Sequence, residues 1–441
     1  MANRASGRIL PPRKGEELRL LLLTTTTGYQ TRAFVEAAAE MGVSVVFGTD
    51  RCHILDDPWR DGALPLRYEN PEESARKVAD LARTQPFHGV VALGDCTPPT
   101  AARACRMLGL LYHPPEAADR CRDKYRSRRR LSAAGLNVPR FLRFPLGTDP
   151  QEIVKPETLA FRYPCVLKPL VLSASRGVIR ADNPSEFVRA FDRIRKLLRS
   201  PEIRATRQET NDFLQVEEYI EGTEIAVEGI VHWGRLKVLA IFDKPDPLTG
   251  PFFGETIYVT PSRLPEDVQA QVVETLERAV QALGLYHGPL HAELRINAQG
   301  LWMMEVASRP IGGLCSRALR FCSPDLGENI SLEELIIRLA LGEEIGGIRR
   351  EKAASGVMMI PVPEAGILRE VEGIEEARAT PGIEEIIITA KPNQELVPLP
   401  EGSSYPGFIF ARGPSPECAE QALRRAHQQL RFVLSPALPV V

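Results

Sequence analysis

The chain has 441 residues, of which 44% are hydrophobic and 25% are charged, and its formal net charge is −2. At about 150 residues per domain, this length predicts roughly three domains. The composition excludes a fibrous, collagenous or wholly disordered chain, and the near-neutral charge argues against a general nucleic-acid binder.

The sequence has no pattern of a membrane span, a secretory signal or a zinc site. Its longest apolar runs, such as Leu20 to Leu23 and Val166 to Leu172, are too short or too broken to cross a bilayer. Residues 1–17 lack the apolar core of a secretory signal, and we expect the first dozen residues to form a disordered leader. None of the eight cysteines forms a Cys-x-x-Cys pair and no His-Glu-x-x-His occurs, which favours reduced cytosolic thiols.

Strands and helices alternate over the first 110 or so residues, as in a small parallel α/β domain. Leu18–Thr24 is apolar except for Arg19 and predicts a buried strand, which the turn Thr24–Gly28 follows. The segment TTTTGYQT lacks the Gly-x-Gly-x-x-Gly pattern, so a framework domain is favoured over a nucleotide-binding one. The other predicted elements are helices at Thr31–Met41, Glu72–Ala82 and Thr97–Leu108 and strands at Val43–Phe47 and Gly89–Leu93.

The chain becomes more basic and more mixed after Cys121. A basic helix is predicted up to Gly135, and its run Arg128–Arg130 favours a solvated face over a nucleic-acid site, because no aromatic residues are interleaved. Arg199–Asp212 is charged without periodicity and predicts a mobile surface loop. Strands are predicted at Tyr163–Leu167, Phe213–Ile220, Thr223–Val231, Leu236–Phe242, Gly288–Ile296 and Gly300–Val306, and helices at Ser185–Leu198, Leu264–Leu283 and Ser331–Leu341.

The last 95 or so residues predict a third, smaller α/β unit. Its predicted elements are strands at Val357–Pro361, Ile386–Thr389 and Gly407–Ala411 and a helix at Pro416–Leu430.

Lys168 and the small residues after it have the chemistry of a phosphate site. Lys168 closes a buried strand and supplies a point charge, while Ser173–Gly177 (SASRG) allows backbone N–H groups to approach phosphate oxygens closely. Considered alone, Lys168 fits an ordinary lysine at a strand end as well as it fits a phosphate ligand. Considered alone, Lys124 is best interpreted as a surface lysine.

Two carboxylates in HAELRINAQGLWMMEVASR have the spacing of a magnesium site. Glu293 and Glu305 lie twelve positions apart on two strands joined by a tight turn, so an antiparallel pair can bring them together. Facing like charges are costly unless a cation neutralises them, and carboxylates with phosphate oxygens are a typical magnesium environment. Arg309 is suited to bidentate binding of a phosphate or an oxyanion. Taken singly, either carboxylate is best interpreted as a solvent-facing charge at the edge of a hairpin.

The chain resembles the ATP-grasp superfamily in the order and spacing of five segments. These are Lys124, Lys168, VEEYIEGTE, the loop FDKPDPLTGPFFGETIYVTPSR and the Glu293–Arg309 segment. Within it they resemble the carboxylate–amine ligases close to bacterial L-amino acid ligases, which form dipeptides. The resemblance covers nearly the whole chain and is strongest over 124–313. It implies the following roles: phosphate contacts for Lys124 and Lys168, a triphosphate-covering loop with Ser173, Ser175 and Gly177, an adenine hinge at Glu217, Glu218, Tyr219 and Ile220, a ribose-binding Glu224, and magnesium ligands Glu293 and Glu305.

One position departs from the commonest ATP-grasp pattern. Many of these enzymes have Asn two residues after the second Glu, whereas this chain has Ala307. The variant resembles the L-amino acid ligase branch rather than D-alanine–D-alanine ligase, and leaves one position on the second magnesium ion to water or substrate. Glu255 is the candidate for the substrate ammonium, although it equally suits a solvated loop charge. Arg309 is the candidate for the acyl phosphate or substrate carboxylate. His291 shares the strand face of Glu293 and is therefore a candidate for lining the same substrate pocket.

The resemblance implies a multidomain α/β and α+β fold. A parallel pre-ATP-grasp domain is expected over 1–115, a two-lobed ATP-grasp domain over 116–345, and a small α/β domain over 346–441. The lobe with the phosphate loop is expected at about 160–220 and the catalytic lobe at about 221–345.

The activity implied is ATP-dependent amide or peptide bond formation through an acyl phosphate, with Lys168 and Arg309 as catalytic residues. ATP and Mg²⁺ are the expected cofactors, with Mn²⁺ as a substitute. The expected partners are a small-molecule carboxylate and amine, both amino acids, and a second copy of the chain in a cytoplasmic homodimer, without nucleic acid or membrane. Two alternatives stay open: a biotin-carboxylase-like or purine-pathway ATP-grasp enzyme, and a non-catalytic ATP-binding regulatory protein.

Overall fold

The structure, a computed structural model, describes residues 17–25, 28–50, 63–155, 157–159 and 162–436. The expected leader and the middle of the expected turn Thr24–Gly28 lie outside the described residues. Among the residues described, the strands form five sheets. No helix in this part of the chain is both long and apolar enough to cross a membrane.

The N-terminal part is a parallel sheet flanked by helices, as the alternation of elements predicted. Its strands are β1 (Arg19–Thr24), β2 (Ser44–Thr49), β3 (Leu64–Pro65) and β4 (Gly89–Ala92), and its helices are α1 (Thr31–Glu40), α2 (Pro71–Ala82) and α3 (Pro98–Leu108). The strand order is β3-β2-β1-β4. Strand β1 is interior because Leu20 to Leu23 are all fully buried, which requires cover on both faces of the sheet.

Two short helices, α4 (Pro115–Arg122) and α5 (Lys124–Ala133), lead into the first lobe. This lobe contains β5 (Phe141–Pro145), α6 (Pro150–Ile153), β6 (Cys165–Pro169), β7 (Ile179–Ala181), α7 (Pro184–Leu198), α8 (Pro201–Ala205) and β8 (Phe213–Glu218). Its sheet has the order β5-β8-β6-β7, with antiparallel neighbours. Helix α7 packs on the sheet through a stripe of Phe187, Phe191 and Ile194, all buried.

Two predictions in this region are wrong. The segment 199–212 is not an irregular loop, because it contains α8 and a 3₁₀ turn at Glu209–Asp212. Buried Ile203 anchors it, and the Asn211 side chain donates to Thr206 Oγ1 at 2.9 Å. Arg128 does not lie on a solvated face either, since it is fully buried while Arg129 is exposed.

The second lobe is built on the largest sheet of the described chain. Its strands are β9 (Thr223–His232), β10 (Arg235–Asp243), β11 (Ile257–Thr260), β12 (Gly288–Asn297) and β13 (Gly300–Ala307), and helix α9 (Glu266–Leu283) packs on them. A three-stranded sheet and a helix follow, with β14 (Phe321–Ser323), β15 (Gly327–Ile330), α10 (Leu332–Ala340) and β16 (Arg349–Arg350). Ser331 caps α10, because its hydroxyl accepts from the Glu334 amide at 3.1 Å.

The C-terminal unit is present, but part of it completes the sheet of the second lobe. Its elements are β17 (Ala354–Met359), β18 (Gly366–Glu372), α11 (Ile374–Arg378), β19 (Ile383–Ile388), β20 (Glu395–Leu396), β21 (Gly407–Gly413), α12 (Pro416–Gln429) and β22 (Arg431–Ser435). The large sheet has the order β13-β12-β9-β10-β11-β17-β21-β19. The multidomain fold class is therefore confirmed, and the C-terminal unit is joined to the second lobe by backbone hydrogen bonds between β11 and β17.

Candidate active site

A cleft of about 370 Å³ lies where the N-terminal domain, both lobes and the C-terminal unit meet. All but one of the site residues named from the sequence line it, namely Lys124, Lys168, Ser173, Ser175, Glu217, Glu218, Tyr219, Ile220, Glu224, Glu255, His291, Glu293, Glu305 and Arg309. The exception is Gly177, whose amide donates to Pro400 O at 2.8 Å. Its φ of +74° and the 2.8 Å from a built Cβ to the Pro169 ring explain why a glycine stands there.

Lys168 belongs to a buried ion-pair network at the inner end of β6. Its ammonium contacts the Glu217 carboxylate, to which Arg128 Nε also donates at 2.7 Å. Burial lowers the pKa of Lys168 to about 8, although Glu217 opposes this shift. Burial alone would raise the pKa of Glu217, but Arg128 and Lys168 hold it below its usual value. The network fixes Lys168 at the cleft wall, where its charge is available to an anion.

Lys124 and the Ser173–Gly177 loop face each other across the same end of the cleft. The Lys124 ammonium donates to Leu172 O at 2.9 Å and lies 3.6 Å from the Glu305 carboxylate. In the loop, Ala174 and Ser175 both have left-handed backbones, with φ of 52° and 55°. Residues other than glycine rarely adopt this backbone conformation without a local constraint. The loop thus has the tight backbone expected of a phosphate-covering segment.

The two carboxylates with the predicted magnesium spacing lie directly opposite each other. Strands β12 and β13 pair Glu293 with Glu305, and the register shifts just after this pair. Glu293 is 20% exposed and Glu305 is 30% exposed. Burial would raise the pKa of Glu293, but Lys244 and a hydrogen bond with His291 hold it well below its usual range. Two half-buried, adjacent carboxylates are a suitable donor set for a hard divalent cation.

One wall of the cleft is acidic and is formed by Glu224, Glu255, Glu293 and Glu305. Lys244 lies at this acidic wall and was missed by sequence reasoning. Its ammonium donates to Glu224 at 2.8 Å, to Glu255 at 2.7 Å and to Glu293 at 3.0 Å. These three carboxylates were assigned to ribose, substrate ammonium and metal, so Lys244 connects all three proposed functions. Burial raises the pKa of Glu255 to about 7, which Lys244 opposes. The Glu255 carboxylate thus already has one ammonium partner.

His291 is held by a second buried carboxylate that the sequence did not single out. Its Nδ1 lies 3.1 Å from Glu228, whose oxygens both accept from the Ile311 amide, at 3.1 and 3.2 Å. Burial would lower the pKa of His291, but its hydrogen bonds with Glu228 and Glu293 raise it to about 9. These hydrogen bonds favour the protonated form of the imidazole, which lies beside Glu293.

Arg309 is oriented by a carboxylate from the N-terminal domain. Asp95, which follows β4, accepts from Arg309 Nε at 2.6 Å. Burial would raise the pKa of Asp95, but Arg309 holds it below its usual value. The position of Asp95 after a parallel strand was a usable signal, because the carboxyl ends of such strands are where sites form.

The hinge segment spans the end of β8 and the connection to β9, and it lines the cleft. The amides of Glu218 and Tyr219 already donate to the carbonyls of Arg140 and Pro164. Arg295 lies over the Tyr219 ring at 5.2 Å, donates to Ile220 O at 2.6 Å and pairs with Glu224 at 2.7 Å. The segment is thus rigid and partly aromatic, which suits a flat base, although the amides of Glu218 and Tyr219 are already occupied.

Replacing Arg128 with Met is expected to lower the free energy of unfolding by about 3 kcal/mol, because the buried Glu217 carboxylate loses one of its two cationic partners. Chemical denaturation monitored by circular dichroism measures this loss. Arg129→Met, on the exposed side of the same helix, is the matched control and should change stability by less than about 0.5 kcal/mol. Equal stability of both variants would contradict a structural role for the network.

Three protein-family models match successive parts of the chain. The ATP-grasp N-terminal domain matches residues 35–110, the ATP-grasp domain 161–318, and the L-amino acid ligase C-terminal domain 2 matches 358–435. The order of the three matches agrees with the order of the structural units. These findings identify an ATP-grasp protein.

Individual relatives narrow this class. The L-amino acid ligase of Bacillus licheniformis has a crystal structure that superposes with a TM-score of 0.79 at 26% identity, covering 95% of this chain and 99% of that one. The alanine–anticapsin ligase of Bacillus subtilis (strain 168) is 30% identical over 51% of this chain and 48% of its own length. An uncharacterized protein of Sinorhizobium fredii is 25% identical over 95% of this chain and 84% of its own. The chain is an L-amino acid ligase-like ATP-grasp protein, as the sequence motifs predicted.

The curated ligases are matched only in part. The matched region spans about half the length of the alanine–anticapsin ligases.

Proposed function

We propose that the protein is an ATP-dependent carboxylate–amine ligase that joins two amino acids through an amide bond. The observation that carries the proposal is the convergence of Lys124, Lys168, Glu293, Glu305 and Arg309 on one cleft between two lobes. Cationic groups at one end suit a triphosphate, and the acidic wall beside them suits a cation and an ammonium group.

The proposed reaction has two steps. A carboxylate oxygen of the first amino acid bonds to the γ-phosphorus of ATP while the bond to the β–γ bridging oxygen breaks, giving an acyl phosphate and ADP. The amine of the second amino acid then bonds to the acyl carbon, the bond from carbon to the phosphate oxygen breaks, and the nitrogen loses a proton. Because an acyl phosphate hydrolyses readily, exclusion of water by the Ser173–Gly177 loop is part of the mechanism.

The chain's own residues act mainly by positioning and by charge. Lys124 and Lys168 hold the phosphates, and Arg309, fixed by Asp95, faces the oxygens on which negative charge develops. Glu255 and the wall around it are suited to an ammonium group. The hinge from Glu217 to Ile220 is proposed for the base, and Glu224 for the ribose.

The acidic pair fits a divalent ion. Glu293 and Glu305 would hold Mg²⁺, or Mn²⁺ in its place, because both carboxylates face the cleft from paired strands and lie beside the lysines proposed for the phosphates. When bound, the ion would neutralise phosphate charge. We also propose a homodimer on the basis of the family resemblance, and a cytoplasmic location because the cysteine pattern favours reduced thiols.

Phosphate release is expected only when ATP, Mg²⁺, a carboxylate substrate and an amine are all present. The test screens pairs of amino acids for phosphate release and identifies the product by mass, which should equal the sum of the two substrates less one water. Phosphate release that never depends on an amine would contradict the ligase. Release that depends on bicarbonate instead would favour the carboxylase alternative, and nucleotide binding without turnover would favour a regulatory protein.

A further inference from the structure

The ammonium of Lys244 occupies a position that has the chemistry of a metal site. One oxygen from each of Glu224, Glu255 and Glu293 lies within 4.8 Å of the others, which is compact enough to hold a metal ion. The Lys244 Nζ donates to all three, at distances of 2.7 to 3.0 Å. A lysine ammonium has three N–H groups, so each carboxylate receives one of them.

The lysine is held rigidly in this position. Its side chain is 3% exposed, and its backbone amide donates to Glu224 O at 3.3 Å. The Nζ lies 5.0 Å from the centroid of the Tyr258 ring, which covers it. The preceding residue, Asp243, is fixed by Ser262 at 2.6 Å. Lys244 therefore has little freedom to leave the acidic cluster.

Charge explains why a cation is needed there. Three carboxylates this close together repel one another, and a protein can remove that cost with a bound metal ion or with an internal cation. Because all three N–H groups of the Lys244 ammonium donate to the carboxylates, none is left to donate to a ribose or a phosphate. Its role is thus directed at the acidic wall rather than at the nucleotide.

We propose that Lys244 is a positioning residue whose ammonium takes the place of a metal ion among Glu224, Glu255 and Glu293. It excludes divalent ions from this cluster and so confines them to the Glu293–Glu305 side of the wall. The preference for the Glu293–Glu305 side rests on the proposed function. The exclusion itself rests only on the contacts of Lys244.

The test measures Mn²⁺ binding by electron paramagnetic resonance, in the absence of nucleotide and amino acids. Lys244→Met is expected to bind one more Mn²⁺ per chain than the unchanged protein, and about tenfold more tightly than any site of that protein, because the three carboxylates then lack the ammonium and each can offer an oxygen to the ion. Lys244→Arg keeps the cation and should gain no site. Lys237→Met, on the same strand β10, is the matched control and should also gain none.

A second substitution identifies the ligands of the new site. The double variant Lys244→Met with Glu255→Gln should lose the additional Mn²⁺, because one carboxylate of the cluster becomes a neutral amide. Thermal unfolding gives an independent measurement: Mn²⁺ should raise the melting temperature of Lys244→Met more than that of the unchanged protein. If Lys244→Met folds only with Mn²⁺ present, that rescue also supports the proposal.

The proposal is overturned if folded Lys244→Met binds no more Mn²⁺ than the unchanged protein. It is equally overturned if Lys244→Met cannot be folded with Mn²⁺ while Lys244→Arg folds normally, since a metal ion then does not replace the ammonium. None of these measurements uses ATP turnover. A failure here is therefore distinguishable from a failure of the proposed ligase activity.

Discussion

Replacing Glu305 with Gln should abolish amide formation, with a loss of at least about 10³-fold in kcat, while the protein stays folded. The amide is nearly the same size as the carboxylate, so packing is retained, but the negative charge is lost. Glu305 lies opposite Glu293 and 3.6 Å from the Lys124 ammonium. The negative charge of Glu305 thus attracts both the proposed metal ion and the ammonium of Lys124, which is proposed to bind the phosphates.

The measurement is product formation at saturating ATP, with circular dichroism to confirm the fold. Glu277→Gln, on the exposed side of helix α9, is the matched control and should leave activity unchanged. Raising the Mg²⁺ concentration should restore part of the activity of Glu305→Gln if the loss is in metal affinity. Full activity at ordinary Mg²⁺ concentration would remove Glu305 from the proposed metal site.

The two acidic strands show what local spacing can predict. A tight turn between two β-rich segments determines an antiparallel register, and that register brings Glu293 opposite Glu305. The sequence could therefore predict both the hairpin and the side that the two carboxylates share. The same reasoning placed Lys168 at the end of a buried strand, where the structure has it.

Contacts between distant segments were not predictable in this way. Lys244 has no local pattern that distinguishes it from other charged residues. The position of Asp95 after a strand marks it as a candidate but does not identify its partner Arg309, which lies 214 positions away. Arg128 was misinterpreted because charge was weighed without helical periodicity. Lys124, Arg128 and Leu131 repeat at three- to four-residue spacing, and Arg128 and Leu131 are both buried. The pairing of β11 with β17 depends on a strand almost 100 residues later.

Replacing Arg309 with Lys is expected to lower kcat by about 10²-fold or more, with a smaller change in KM for ATP. The guanidinium uses its Nε for Asp95 at 2.6 Å and Nη1 for Pro310 O at 2.9 Å. These bonds fix the plane of the fork, so the group faces the cleft in a preset orientation. Lysine keeps the charge but has no fork to hold against both Asp95 and an oxyanion.

The role of Asp95 can be separated from that of Arg309 by combining the two changes. Asp95→Asn should lower kcat less than Arg309→Lys, because the arginine remains but is held less firmly. If Asp95 acts only through Arg309, the double variant should be no slower than Arg309→Lys alone. Arg317→Lys, a more exposed arginine paired with Glu385, is the control and should be fully active. An Arg309→Lys variant with unchanged kcat would show that charge alone suffices, and the fork geometry would then have no part in the chemistry.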